Sequence, residues 1–194
     1  PCQRNAGPKS NSQRAPSAPS PLPPRVHHFS RPSGVATALK TAVGDPATVA
    51  WQPSAEQIGA VTIAVTKLER VSLKTLAAWT LSAQTRRSQP YFVRAKVTNV
   101  GDKKLDQFPL PLYAVIGDNT YVTASTFDVA FKPCPSVYLP AKFKPGTSAN
   151  LCWVYLAPDH GKLTGVSFYP GPWFDPIVWD GPVTRYVAPK PKKR

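Results

Sequence analysis

Short apolar runs alternate with turn residues through most of the chain. In AVTIAVTKLERV (60–71), Val61, Ile63 and Val65 alternate with Thr62, Ala64 and Thr66. In YFVRAKVTNV (91–100), Tyr91, Val93, Ala95 and Val97 fall on one face, and Phe92, Arg94, Lys96 and Thr98 on the other. Successive side chains of a strand point to opposite faces, so a two-residue period marks a half-buried strand. Asn99, Gly101 and Asp102 then supply turn chemistry. PLYAVI (111–116), GDNT and YVTAS predict a hairpin. TASTFDVAF (123–131), NLCWVYLAP (150–158), LTGVSFYP (163–170) and PIVWDG (176–181) complete the strand set. One segment, LKTLAAWTLSA (73–83), reads as helix. Regular turns and the absence of a βαβ rhythm predict an all-β chain, an immunoglobulin-like antiparallel β-sandwich. Parallel alternatives need crossover helices that the pattern does not supply.

Composition sets the boundaries of that sandwich. Residues 1–45 are rich in Pro, Ser and Arg and poor in large apolar side chains. Such a stretch cannot bury enough surface to offset its ordering entropy, so it is expected to be a disordered tether. Residues 46–187 are expected to form the sandwich, and residues 188–194, ending in PKPKKR, a basic tail.

The net charge of +14 invites a nucleic-acid reading, so its location matters. Arg4, Lys9, Arg14, Arg25, Arg31 and Lys40 precede residue 41 with no acid among them. Arg185, Lys190, Lys192, Lys193 and Arg194 close the chain, again without an acid. The charge therefore concentrates in the tails, and the segment between them is nearly neutral. No basic stripe interleaved with aromatics appears there, and no nucleic-acid partner is expected.

Three cysteines carry the candidate chemistry. Cys134 sits in a proline-rich loop, and Cys152 sits inside an apolar strand. Structural zinc needs four ligands, commonly arriving in close pairs, and these cysteines are isolated with no histidine between them. A catalytic thiolate needs a polar setting and a base. Cys152 lies between Leu151 and Trp153, and His160 follows in the next turn. Two reduced core cysteines are a further alternative. A Cys134–Cys152 disulfide fits best. It closes a loop of about 19 residues, worth on the order of 3 kcal/mol, and implies an oxidising compartment. Cys2 is left over. No methionine begins the chain, so processing is expected, and a cysteine there followed by a flexible tether suggests lipid attachment. Pro1 stands where the lipoprotein cleavage motif has a small residue.

SQPYFVRAKVTNVGDKKLD resembles the core strand and turn of the DUF4352-like immunoglobulin-like domains of secreted bacterial proteins and lipoproteins. PLPLYAVIGDNTYVTAS, FKPCPSVYLPAKFKPG, LCWVYLAPDHGKL and VSFYP…PIVWDGP are similar to an actinobacterial lipoprotein subtype, over about residues 58–183. The most specific part is the Cys134–Cys152 motif with Lys144, Pro145 and Gly146 between the cysteines. The resemblance implies a sandwich, an extracytoplasmic address (the outer face of the cytoplasmic membrane, or secretion) and a loop-to-strand disulfide. It carries no catalytic residue.

The function expected is that of a non-enzymatic, membrane-associated envelope module. It would bind a membrane-associated or envelope protein, as an accessory subunit of a membrane complex in one version. Trp173 and Phe174 in YPGPWFDPIVWDGP, and Tyr138 in the 134–146 loop, are the candidate contacts. Ordinary packing over an open end of the sandwich is the competing account of these aromatics. The membrane would be reached through a lipid on Cys2 and the basic leader. Alternatively, the leader's arginines bind an anionic lipid or wall polymer directly. Asp106, Asp118, Asp128, Asp159, Asp175 and Asp180 are scattered, and no phosphate loop or nucleophile elbow appears. No catalytic residue, metal or cofactor is therefore expected.

Overall fold

The computed structural model describes residues 26–27, 39–118, 120–127, 129, 131–135, 138–171 and 174–189. Among them the chain forms two facing sheets. The first sheet holds β1 (Val26–His27), β7 (Thr120–Thr123), β6 (Leu112–Ile116), β9 (Leu163–Phe168), β10 (Ile177–Asp180) and β2 (Leu39–Ala42), in that spatial order. In the second, β4 (Gln57–Arg70) pairs with β5 (Gln89–Asn99), and β5 pairs with β8 (Ser148–Ala157). The free edge of β4 is shared by β3 (Pro46–Ser54) along its first half and β11 (Val183–Arg185) along its last residues. The fold is an immunoglobulin-like β-sandwich. Its pairings are antiparallel except at two edges, where β2 joins β10 and β11 joins β4 in parallel.

The period-two pattern does place the core. Val61, Ile63 and Val65 of β4, and Tyr91, Val93, Ala95 and Val97 of β5, are buried between the sheets. A bulge between Val65 and Lys67 shifts the alternation, so Leu68 returns to the inner face. Trp153, Tyr155 and Trp179 fill the centre, and the Trp179 indole donates to the Asp45 carbonyl at 3.0 Å.

A second apolar cluster lies on the outer face of the second sheet. Phe92, Cys152, Val154 and Leu156 meet Val71, Leu76, Phe131 and Cys134 there. β8 is thus buried on both faces, which is why its sequence is a continuous apolar run.

Three expectations change. LKTLAAWTLSA is not a helix: Leu73–Leu76 form a 3-10 turn and Ala83–Arg86 a single α-turn. Ser72 and Ser82 start them by accepting from Lys74 N and Thr85 N. A helix this short is marginal on its own, and laying Leu76, Trp79 and Leu81 onto the second cluster prevails. Among the described residues of TASTFDVAF, the strand ends at Thr123. Ser125 N donates to Val154 O, carrying the chain from the first sheet to the second. Phe127 and Phe131 then pack against Trp79, with ring centres 4.9 and 5.0 Å away. The sandwich also begins before residue 46, because Leu39–Ala42 pair with Ile177–Asp180. Backbone pairing orders a stretch whose composition alone would not.

Candidate functional site

Cys134 and Cys152 are joined by a disulfide, with Cα atoms 5.0 Å apart. Arg94, opposite Cys152 on β5, donates to Glu69 at 2.7 Å and to the Pro133 carbonyl at 3.2 Å. The loop leading to Tyr138 is therefore held at its root by one covalent bond and one arginine. With its sulfur in that bond on the outer face, Cys152 is not a free nucleophile, and His160 lies instead beside a cleft.

The two ends of β5 each carry a buried side-chain amide, Gln89 and Asn99. Asn99 is fully enclosed. Its amide donates to Lys103 O at 2.8 Å and Phe143 O at 3.0 Å, and its carbonyl oxygen accepts from Gly101 N at 3.1 Å. It closes the Asn-x-Gly turn and binds it to the 143–147 segment. Further bonds gather the neighbouring loops here: Leu105 N to Phe143 O, Leu139 N to Phe108 O, and Tyr169 N to Pro111 O. The loops bearing Tyr138 and Phe174 thus both hang from residues 108–111. Tyr138 is 53% exposed and Phe174 50%. Ile58 and Val100, at the adjoining ends of β4 and β5, add exposed apolar surface. Trp173 and Cys2 lie outside the described residues.

Gln89 works differently. Its amide donates to Val71 O at 2.7 Å and Pro90 O at 2.9 Å, while its oxygen accepts from Arg70 Nε at 2.9 Å. The Arg70 guanidinium is held by its Nε, which leaves its two terminal nitrogens outside that bond. It lines an open cleft of about 970 Å³ whose walls also include Lys74, His160, Lys162 and Arg185. Among the described residues no carboxylate lines it. Arg185 is the register partner of Arg70 on the adjacent strand. The turn carrying His160 departs from ordinary backbone: Asp159 and His160 both take left-handed φ values, 49° and 57°. It is fixed by His160 N donating to Arg87 O at 2.9 Å and by an Arg87–Asp159 ion pair at 2.7 Å.

The order of charges along the chain does not reveal this cleft. Its bases come from four separated segments, and Arg185 belongs to a strand rather than to the tail.

The arrangement defines an immunoglobulin-like sandwich with half-exposed aromatics among charged turn residues at one end and a basic cleft at the other. The crystal structure of MPT63, a secreted protein from Mycobacterium tuberculosis, is similar to this chain with 13% sequence identity and a TM-score of 0.44, covering 76% of this chain and all of that one. No family model matches the chain, and neither does any curated protein.

Proposed function

We propose that the protein is a non-enzymatic, extracytoplasmic recognition module that docks an envelope protein through its aromatic-bearing end. The observation that carries this is the pair of half-exposed aromatics, Tyr138 and Phe174, on loops fixed to one short segment. Aromatic side chains held rigidly lose little entropy on binding and serve as anchors. The disulfide supports the address, because such bonds persist in oxidising compartments. A lipid on Cys2 and the basic leader would keep the domain near the membrane, as an accessory to a membrane complex.

A photo-crosslinker placed at Phe174 or Tyr138, in the native envelope, tests the reading. One membrane-associated protein should be captured from both positions. Phe174→Ala should weaken its retention by roughly tenfold while leaving the fold intact. Turnover of a substrate by the purified domain would end this reading. Capture of no protein would move the function to an anionic lipid or wall polymer bound by the leader's Arg4, Arg14, Arg25 and Arg31.

A further inference from the structure

We propose that the basic cleft at the Gln89 end is a binding site for a ligand carrying more than one phosphate group. Three observations converge. First, Arg70 is built for presentation. A buried glutamine, itself fastened to two backbone carbonyls, holds the guanidinium by its Nε. Fixing an arginine beforehand removes the cost of ordering it on binding, which is how recognition sites gain affinity. Second, Arg70 and Arg185 are direct lateral partners on one face of the sheet. Adjacent strands stand about 4.8 Å apart, and like charges opposite one another are destabilising. Among the described residues no carboxylate pairs with either arginine, so no described acid offsets that repulsion, whereas a bound anion would. Third, Lys74, His160 and Lys162 enter from two other segments, again without an acid among the lining residues.

The ligand class follows from the geometry. The cationic groups approach from β4, from β11, from the turn after Arg70 and from the turn after β8. A carboxylate offers two oxygens in one plane. A phosphate offers three around a tetrahedron and accepts forked bonds from two guanidinium groups together. The cleft volume exceeds the needs of one phosphate, and its charge exceeds the demand of one, so two or more are accommodated.

The test uses the full chain and probes that separate a soluble phosphate ester from a lipid headgroup. Pyrophosphate binding is measured by calorimetry and by amide shifts. Vesicles containing cardiolipin, a lipid with two phosphates in its headgroup, are compared with vesicles of phosphatidylcholine. Arg70→Lys keeps the net charge, and with it the background from the basic leader, but removes the fork. It should lower pyrophosphate affinity by roughly tenfold. Gln89→Leu also keeps the charge and frees Arg70, so it should lower affinity several-fold. Lys132→Gln removes an exposed charge outside the cleft and should change affinity by less than about twofold. The amides that shift should lie in 70–74 and 160–163. Loss confined to pyrophosphate assigns a soluble ligand, and loss on cardiolipin vesicles assigns a headgroup. If Arg70→Lys binds both probes like the unaltered chain, or if Lys132→Gln weakens binding as much, bulk charge accounts for everything and the site is refuted. A melting curve for each variant separates loss of the site from loss of the fold, and Arg70→Lys remains decisive if Gln89→Leu does not fold.

Discussion

The two ends of β5 are built from the same strand and nearly the same chemistry, yet they do opposite things. Each has a buried primary amide. Asn99 uses its amide and its carbonyl oxygen on the backbone of its own turn and the segment beside it. Gln89 uses its two amide bonds on backbone but gives its oxygen to a side chain, Arg70, which faces solvent. One end is closed on itself and shows apolar surface; the other holds a charge out. The two ends therefore suit different partners. Closure at the Asn99 end makes a rigid platform for apolar contact, whereas the Gln89 end is fit to bind an anion. A buried polar group is costly unless satisfied, so spending one bond of a buried amide on an exposed cation is a feature to be explained.

The largest expected effect comes from removing the disulfide. The double variant Cys134→Ala with Cys152→Ala should lose about 3 kcal/mol, from the entropy returned to the unfolded chain. That corresponds to a fall of roughly 6–12 °C in melting temperature for a domain of this size. The consequence for function is local: the loop bearing Tyr138 loosens, and the crosslinking yield from Tyr138 falls. Pyrophosphate affinity should stay the same, because the cleft shares no residue with that loop. A matching fall at the cleft would show that the two ends are coupled and do not act independently.

Asn99→Ala is next. It leaves a buried carbonyl, Phe143 O, without this donor and opens the turn at Gly101, which should cost roughly 2–3 kcal/mol. Denaturant unfolding measures this directly. Sites without shared partners are nearly additive, so pyrophosphate binding should change by less than about twofold.

Strand β5 was legible because Tyr91, Val93, Ala95 and Val97 all face the core, and Asn99 with Gly101 was legible as a turn. What the spacing could not show was Asn99 reaching Phe143, a contact across 44 residues. β3 escaped notice although Val49 and Trp51 point inward, since Pro46, Pro53 and exposed polar residues break its pattern. β11, exposed throughout, has no apolar period to read. The cysteine pair was readable because one loop and one strand made it plausible in space. The second cluster was not, since Phe127 and Phe131 reach it only when the chain leaves the first sheet at Thr123. The cleft was hidden for the same reason: tertiary structure, not spacing, brings Arg70, Lys162 and Arg185 together.

The smallest of the three effects tests how one strand keeps the two chemistries apart. Glu69 and Arg70 are neighbours on β4, and alternation sends them to opposite faces. Arg70 is the partner of Tyr91 on the inner face, and Glu69 the partner of Phe92 on the outer. Burial alone would raise the Glu69 carboxyl. Hydrogen bonds from Lys67 and Arg94, each 2.7 Å, outweigh it and hold the group below its usual range. The sign follows. A carboxylate whose folded-state value is depressed contributes stability above its unfolded value near 4.5, and that contribution disappears as pH falls through the folded value. Glu69→Gln should therefore cost about 1–2 kcal/mol at neutral pH, less than a fully enclosed pair because Lys67 and Arg94 are partly exposed. The variant should also lose less stability than the unaltered protein when acidified below about pH 4.5. Its affinity for pyrophosphate should not rise, because the carboxylate it removes lies on the far face of the sheet. A several-fold rise would mean that the Glu69 field reaches the cleft, and that the sheet does not separate the charges on its two faces as its alternation requires.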